Sequence, residues 1–222
     1  MGRYSVNRIK ISGHNGDVQN TFYFQGGRTD KLAVVFPGLG YTCQMPLLYY
    51  STLMLVDQGF DVLWVETNYG MNKEYLALNE EMKSEWIRKD AIAAWKSVMI
   101  KRNYKRVVFL GKSIGTVSLA ALLQERSLPK DTRNVLLTPL LDNKRIIATL
   151  QQNPTKKSIF VIGTADAYYD PDALKRMREN ARNRVLVIKG ADHSLEIGEN
   201  VSASIKVLEK TLKAIGEFVS GR

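Results

Sequence analysis

Short apolar segments alternate with longer segments of helical periodicity along this chain, and this alternation constrains the fold more than any other feature. Six apolar runs, rich in β-branched residues, are predicted strands: 31–36, 60–66, 106–111, 133–139, 158–164 and 184–190. Helical patterns follow them, the longest over 80–101 and the last over about 199–219. Strands that are apolar along their whole length are typical of sheets buried on both faces. The pattern therefore predicts an α/β fold with one mostly parallel sheet and helices on both faces.

The N-terminal 30 residues follow a different pattern. Two segments alternate polar and apolar residues around the turn GHNGD, which predicts a β-hairpin that adds antiparallel edge strands to the sheet. No linker or internal repeat interrupts the chain, and only 139–157 has room for even a small cap. We therefore predict a single domain over 1–222, with the hairpin in 1–30 and the β/α core in 31–222.

The composition is that of a soluble globular protein, with 45% hydrophobic and 24% charged residues. No apolar run approaches the roughly 20 residues that cross a bilayer, and the first residues lack the apolar region of a signal peptide. Cys43 is the only cysteine, so an internal disulfide is excluded. We expect a cytoplasmic protein without a membrane span.

The net charge of +10 is compatible with an anionic partner. However, the basic residues are scattered. The densest local groups are 156–158 and 175–184, and the second resembles the solvated face of a helix. We therefore expect no nucleic-acid partner, although a binder of anionic ligands remains a third hypothesis. The sequence does not indicate the oligomeric state.

The fragment VVFLGKSIGT at 107–116 is compatible with two motifs that share Gly-Lys-Ser. A phosphate-binding P-loop needs a glycine five positions before Gly111, followed by a flexible loop. This chain has Arg106 at that position and an apolar strand after it. The phosphate-binding interpretation therefore fails.

The second motif is Gly-x-Ser-x-Gly, in which a tight strand-to-helix turn exposes a nucleophilic serine. Gly111 and Gly115 flank Ser113, a predicted strand precedes them, and a predicted helix over 113–126 follows. Lys112 occupies the variable position of the motif, so we expect it to have the least to do among these residues. The context predicts that Ser113 is a nucleophile.

A serine becomes an effective nucleophile only when a base accepts its proton. The chain contains two histidines. His14 lies in the predicted hairpin turn, whereas His193 follows the last predicted strand, at the edge where the residues of a parallel sheet converge. We therefore predict His193 as the base.

The acid that orients the histidine has several candidates. Asp166 follows the penultimate strand and places serine, aspartate and histidine in the chain order typical of this kind of triad. Asp142 follows the strand before it and is the main competitor. Asp170 is better explained as a helix cap, and Asp192 adjoins His193 and is expected to point away from it. We predict Asp166.

The loop FPGLGYT at 36–42 follows the first parallel strand and is expected to lie beside the serine. Its glycines let the backbone approach a substrate carbonyl closely. We predict an oxyanion hole formed by the N–H groups of Leu39, with Gly40 as the alternative, and Ile114. Other loop residues at the expected site are candidates for lining the pocket, although tyrosines on such loops are equally compatible with ordinary packing: Gly38, Gly40, Tyr41, Tyr69, Tyr168 and Leu195.

Four segments in this order, PGLG at 37–40, GKSIG at 111–115, GTAD at 163–166 and GADHSLE at 190–196, make the chain resemble the α/β-hydrolase superfamily from Lys31 onward. It is most similar to small, lidless serine hydrolases of the dienelactone-hydrolase and KANL3/Tex30-like kind. The resemblance implies a catalytic serine, aspartate and histidine, and neither a metal nor an organic cofactor. One departure is Pro37, where the oxyanion loop often has histidine before the glycine.

Two hypotheses about function come before that of an anionic-ligand binder. The first is a serine hydrolase that cleaves a carboxylic ester or thioester of a small-molecule acyl substrate through an acyl-enzyme. The alternative is a catalytically inactive binding or scaffold protein on the same fold. The sequence does not indicate the acyl chain length.

Overall fold

The computed structural model describes residues 4–27, 29–125 and 128–221. The start of the predicted hairpin segment and the end of the helix predicted after Ser113 lie outside these residues. The strands are β1 (Tyr4–Gly13), β2 (Gly16–Gln25), β3 (Lys31–Phe36), β4 (Asp61–Val65), β5 (Arg106–Lys112), β6 (Asp131–Leu137), β7 (Lys157–Gly163) and β8 (Asn183–Ile188). The helices are α1 (Pro46–Asp57), α2 (Lys73–Leu76), α3 (Glu80–Met99), α4 (Gly115–Leu123), α5 (Lys144–Gln152), α6 (Pro171–Arg178) and α7 (Val201–Ser220). None of the helices in these ranges has the length and apolar character needed to cross a membrane.

All of these strands form one sheet in the order β1-β2-β4-β3-β5-β6-β7-β8. The six strands from β3 to β8 are parallel to one another, while β1 and β2 form an antiparallel hairpin. The hairpin joins the sheet edge through antiparallel pairing of β2 with β4. The predicted α/β class and the antiparallel edge strands are confirmed.

Helices cover both faces of the sheet and bury two separate apolar cores. Because side chains alternate along a strand, Val107 and Phe109 of β5 face one core and Val108 and Leu110 face the other. Helices α3, α4, α5 and α6 pack on the first face, and α1 and α7 pack on the second. This arrangement leaves the carboxyl ends of the parallel strands free to carry a site.

The connections at that edge are short and form a minimal cap. The segment 139–157 contains α5 and little else. Between β4 and α3 the chain forms a 3₁₀ turn (Tyr69–Met71) and α2, neither of which the sequence pattern predicted. The side chain of Asn72 accepts a hydrogen bond from the Tyr75 N–H and so begins α2. Such short helices lack the periodicity that reveals longer ones.

Candidate active site

Ser113 lies on a tight turn between β5 and α4. Its φ of 54° is in the left-handed region, which is unusual for a residue other than glycine. The Ser113 N–H donates to the Leu137 carbonyl oxygen (3.0 Å), and the Ser113 carbonyl oxygen accepts from the N–H and hydroxyl of Thr116 (2.9 and 2.6 Å). The neighbouring strand and helix thus hold the serine in a strained conformation of the kind found at functional sites.

The two glycines of the motif are required by close backbone contacts. A Cβ atom on Gly111 would lie 2.6 Å from the Gly115 carbonyl oxygen. A Cβ atom on Gly115 would overlap the carbonyl oxygen of Phe36, at the end of β3. The spacing of the motif therefore lets α4 start directly against β5 and the loop after β3.

The structure brings Ser113, His193 and Asp166 into one chain of hydrogen bonds. Ser113 Oγ lies 2.9 Å from His193 Nε2, and His193 Nδ1 lies 3.0 and 2.9 Å from the two carboxylate oxygens of Asp166. A carboxylate only accepts, so Nδ1 carries the proton and Nε2 is left to accept from the serine hydroxyl. This tautomer is the one that allows the ring to take the proton of Ser113.

Burial sets Asp166 apart from the other acids. Its side chain is 0% exposed, and one carboxylate oxygen also accepts from the Tyr168 N–H (2.9 Å). A buried carboxylate that accepts several hydrogen bonds is held in one orientation. Asp166 therefore orients the ring of His193.

The competing candidates lie elsewhere. Asp142 is exposed, and Asp170 caps α6 through its side chain. Asp192 accepts from two N–H groups of its own loop. The backbone N–H of His14 donates to the buried carboxylate of Asp90, and the His14 ring packs against Trp86. In the part of the chain that the structure describes, none of these residues contacts the Ser113 hydroxyl or the His193 ring.

The predicted oxyanion donors lie on two loops beside Ser113. Within the described ranges, neither the Leu39 nor the Ile114 N–H donates to another protein group, whereas the Gly38 N–H donates to the Tyr41 carbonyl oxygen (2.9 Å). A Cβ atom on Gly38 would lie 3.5 Å from the Ser113 Cβ, so this loop passes directly beside the serine. Both unpaired amides are thus available to a ligand near Ser113.

Three of the pocket candidates lie close to His193 or to the Gly38 loop: Tyr168, Tyr41 and Leu195. The Tyr168 ring lies 5.3 Å from the His193 ring, centroid to centroid. Tyr41 packs against the Gly38 loop, and its hydroxyl accepts from the Leu47 N–H (3.1 Å). Leu195 is buried with a φ of 61°, and with Tyr41 it lines a cavity of about 400 Å³ between the starts of α1 and α7. Gly40 is exposed with open space around it.

Tyr69 is placed differently from the other candidates. Its side chain is buried, its hydroxyl donates to Asp90 (2.8 Å), and its ring stacks on Tyr75 at 4.5 Å. The turn that carries it lies against the Leu39 loop, since a Cβ atom on Gly70 would lie 2.5 Å from the Leu39 carbonyl oxygen. The Ile114 side chain packs against the apolar cluster to which Tyr69 belongs. Tyr69 therefore supports the Leu39 loop from behind, as a packing residue.

Lys112, which has the least to do in the sequence motif, makes contacts in the structure that the motif did not predict. Its side chain is 1% exposed, and its Nζ donates to Thr138 Oγ1 (2.6 Å) and to the His193 carbonyl oxygen (2.6 Å). The sequence did contain a signal, because Val108 and Leu110 occupy alternate positions of the same buried strand. Lys112 continues that row, so its side chain enters the core of α1 and α7.

Burial lowers the pKa of Lys112 to about 8, although the nearby carboxylates of Asp166 and Asp192 act in the opposite direction. The Nζ also lies 5.1 Å from the centre of the Tyr41 ring. This distance suits a cation–π contact. A cation therefore lies beneath the histidine loop, close to the triad.

Residues suited to hold a metal ion are few near this site. Cys43 is buried, and burial raises the pKa of its thiol well above its usual value. Among the residues that the structure describes, no group of three or more histidine, cysteine and acidic side chains is arranged to bind a metal.

Comparisons with solved structures place this arrangement among known folds. A putative α/β hydrolase of unknown function from Agrobacterium tumefaciens superimposes with a TM-score of 0.76 at 14% identity, covering 97% of this chain and 98% of that one. An esterase from Pyrococcus furiosus superimposes with a TM-score of 0.74 at 16% identity, covering 98% of this chain and 91% of that one. A lidless α/β serine hydrolase from Xanthomonas campestris superimposes with a TM-score of 0.68 at 13% identity, covering 95% of each chain.

Because the sequence identities are so low, the similarity of this chain to these structures shows a shared fold only. No family model and no curated protein matches the sequence. The similarity nevertheless extends over nearly the whole of each chain, with the same mostly parallel sheet. The chain therefore has the α/β-hydrolase fold, as its motifs predicted.

Proposed function

We propose that this chain is a serine hydrolase that cleaves a carboxylic ester or thioester. The observation that carries the proposal is the hydrogen-bond chain from Ser113 through His193 to the buried carboxylate of Asp166. It begins at a serine held at positive φ, directly before a helix. A nucleophile, its base and the orienting acid are the parts that acyl transfer needs.

In the acylation step, His193 Nε2 takes the proton of the Ser113 hydroxyl while Oγ attacks the substrate carbonyl. The negative charge that develops on the carbonyl oxygen is stabilised by the N–H groups of Leu39 and Ile114. Asp166 stabilises the imidazolium ion through the Nδ1–H bond. Collapse of the intermediate breaks the bond to the leaving alcohol or thiol, which receives the proton from Nε2.

Deacylation repeats these steps with water in place of the serine. His193 Nε2 takes a proton from water, and the hydroxide attacks the acyl carbon. The carboxylic acid product leaves with the oxygen that came from water, and Ser113 recovers its proton from the imidazolium. The enzyme returns to its starting state without the consumption of any other reactant.

The comparisons support this class of reaction, since the fold is shared with an esterase and with a serine hydrolase without a lid. The short connections above the sheet support an open site that accepts a small or exposed acyl group. Leu39, at 41% exposure, lies on the rim of this site. Substrates with an accessible ester or thioester are therefore the ones to test first.

Labelling by a fluorophosphonate probe tests the proposal. We expect wild type to be labelled, Ser113→Ala to lose the label because the nucleophilic oxygen is absent, and the exposed control Ser202→Ala to keep it. A panel of p-nitrophenyl esters and acyl thioesters of increasing chain length then defines the substrate. A folded wild-type sample that neither takes up the probe nor turns over any member of the panel would favour a binding or scaffold protein.

A further inference from the structure

Lys112 is a buried ionisable group that the reaction steps above leave unused. It has two acceptors, Thr138 Oγ1 and the His193 carbonyl oxygen, and the face of Tyr41 lies near its third N–H. Burial of a charged ammonium group opposes folding, and hydrogen bonds offset that effect only in part. An apolar residue of similar shape at this position is therefore expected to serve stability at least as well, so a different role should explain the lysine.

The acceptor of greatest interest is the backbone of His193. Some hydrogen bonds of this loop are internal: the Asp192 N–H donates to the Glu196 carbonyl oxygen, and the Asp192 side chain accepts from the N–H groups of Ser194 and Glu196. Others join its start to the turn after β7, where the Ala165 N–H donates to the Ala191 carbonyl oxygen (3.0 Å). The bond from Lys112, the last residue of β5, joins the backbone of His193 itself to the strand that leads to Ser113.

Thr138 provides the second anchor. It follows β6, is fully buried with a φ of 41°, and its N–H donates to the Val161 carbonyl oxygen (2.7 Å). Its hydroxyl accepts from Lys112 Nζ at 2.6 Å, so the ammonium group is held from two sides. One lysine thus joins the turn carrying the nucleophile, the end of β6 and the loop carrying the base.

We propose that Lys112 is a positioning residue for the histidine: held by Thr138, it fixes the His193 backbone at the distance from β5 that keeps Nε2 against Ser113 Oγ. The role rests on the proposed serine-hydrolase function. The charged groups facing the ammonium are Asp166 and Asp192, and both favour its protonated form. A charged donor makes stronger hydrogen bonds than a neutral one, which suits a residue that holds a loop in place.

Lys112→Met removes the donors and keeps the length of the side chain. We expect kcat to fall by about 10²-fold with KM little changed, because a displacement of about 1 Å between reacting groups has an effect of that size. Fluorophosphonate labelling should slow in parallel. The matched control is Lys156→Met, because Lys156 Nζ also donates to a backbone carbonyl oxygen, that of Pro129 at 2.9 Å, away from the site.

Two changes at Thr138 test the same support without altering Lys112. Thr138→Val replaces the hydroxyl by a methyl group and should lower kcat by about tenfold, because the Nζ then lacks one anchor. Thr138→Ser keeps the hydroxyl and should restore most of the activity. If Lys112→Met fails to fold, these two variants test whether the Lys112–Thr138 contact is needed for activity.

A measurement independent of turnover follows from the presence of only two histidines in the chain. NMR of ¹⁵N-histidine-labelled protein, with His14→Asn used for assignment, should show a downfield Nδ1–H proton for His193 in wild type and in Lys156→Met. We expect this signal to be lost or broadened in Lys112→Met. A purely structural role would change the melting temperature and leave the signal in place.

The outcomes separate the two proposals. If wild type neither takes up the probe nor hydrolyses any ester, the proposed function fails, and the His193 signal still reports whether Lys112 fixes the ring. If wild type is active and Lys112→Met keeps both its kcat and the His193 Nδ1–H signal, the positioning role is refuted.

Discussion

Among single residues, burial decides which aspartate can act with His193. Asp166 and Asp142 both follow strands that end at the same edge of the sheet, and by sequence position either is compatible with the role. The side chain of Asp166 is fully buried and meets the histidine ring, while Asp142 remains exposed. A carboxylate shielded from water stabilises an imidazolium more strongly than a solvated one, because the local dielectric constant is lower.

Replacement of Asp166 by asparagine tests this assignment. We expect Asp166→Asn to lower kcat by about 10³- to 10⁴-fold, because an amide no longer favours the tautomer with the proton on Nδ1. Hydrolysis of a p-nitrophenyl ester and circular dichroism measure activity and folding. Asp142→Asn is the matched control, and an equal loss of activity in that variant would contradict the assignment.

At the level of elements, the turn between β5 and α4 depends on the absence of side chains. The last residue of β3, the end of β5 and the first turn of α4 meet with their backbones in contact. A steric requirement of this kind can be recognised from glycine spacing alone, because it is local to five residues. The partner strand that makes Gly115 necessary, β3, becomes evident only in the folded sheet.

Gly115→Ala should therefore damage both stability and function. The added Cβ meets the Phe36 carbonyl oxygen, so β3 and α4 must move apart, and we expect a loss of about 1–3 kcal/mol in the free energy of unfolding. Urea unfolding and the rate of fluorophosphonate labelling measure the two effects. Gly40→Ala, where a Cβ meets nothing within 4 Å, should change stability by less than about 0.5 kcal/mol. Similar behaviour of the two variants would argue against the contact.

For the molecule as a whole, the parallel sheet explains why residues far apart in sequence share one site. The loops after β3, β5, β7 and β8 all leave the same edge, and they carry Leu39, Ser113, Asp166 and His193. Lys112 connects this edge to the core beneath α1 and α7. Its ionisation should therefore affect the global stability of the fold.

The pH dependence of stability tests this link. The pKa of Lys112 is lowered from 10.5 to about 8 in the folded protein. Below pH 8 the lysine is charged in both states, and its burial opposes folding in full. Between pH 8 and 10.5 the folded state has released a proton that the unfolded state still binds, so stability rises with pH, by up to about 3 kcal/mol.

Urea unfolding of wild type and Lys112→Met at several pH values measures this contribution, because the variant lacks only this group. The stability of wild type relative to the variant should increase from pH 8 towards pH 10.5. A difference that stays constant over this range would show that Lys112 is not a buried cation at neutral pH.

Features with a local cause could be predicted from the sequence. The strands β3 to β8 were recognisable because burial on both faces requires continuous apolar runs. The hairpin was recognisable because polar and apolar residues alternate on either side of a glycine-containing turn. Ser113 was recognisable because its turn needs glycine on both sides. The 3₁₀ turn and α2 were missed because four residues carry too little periodicity.

The α/β class and the strand–turn–helix motif around Ser113 could be predicted from the sequence alone, since the period of a strand and the steric demands of a turn depend on a few adjacent residues. Only the folded chain shows that Asp166 meets His193, that Tyr69 is buried, and that Lys112 donates to the His193 carbonyl oxygen. Lys112 and the His193 carbonyl are separated by 81 residues, and no local pattern specifies a contact of that range. Such contacts arise only when the sheet brings its carboxyl ends together.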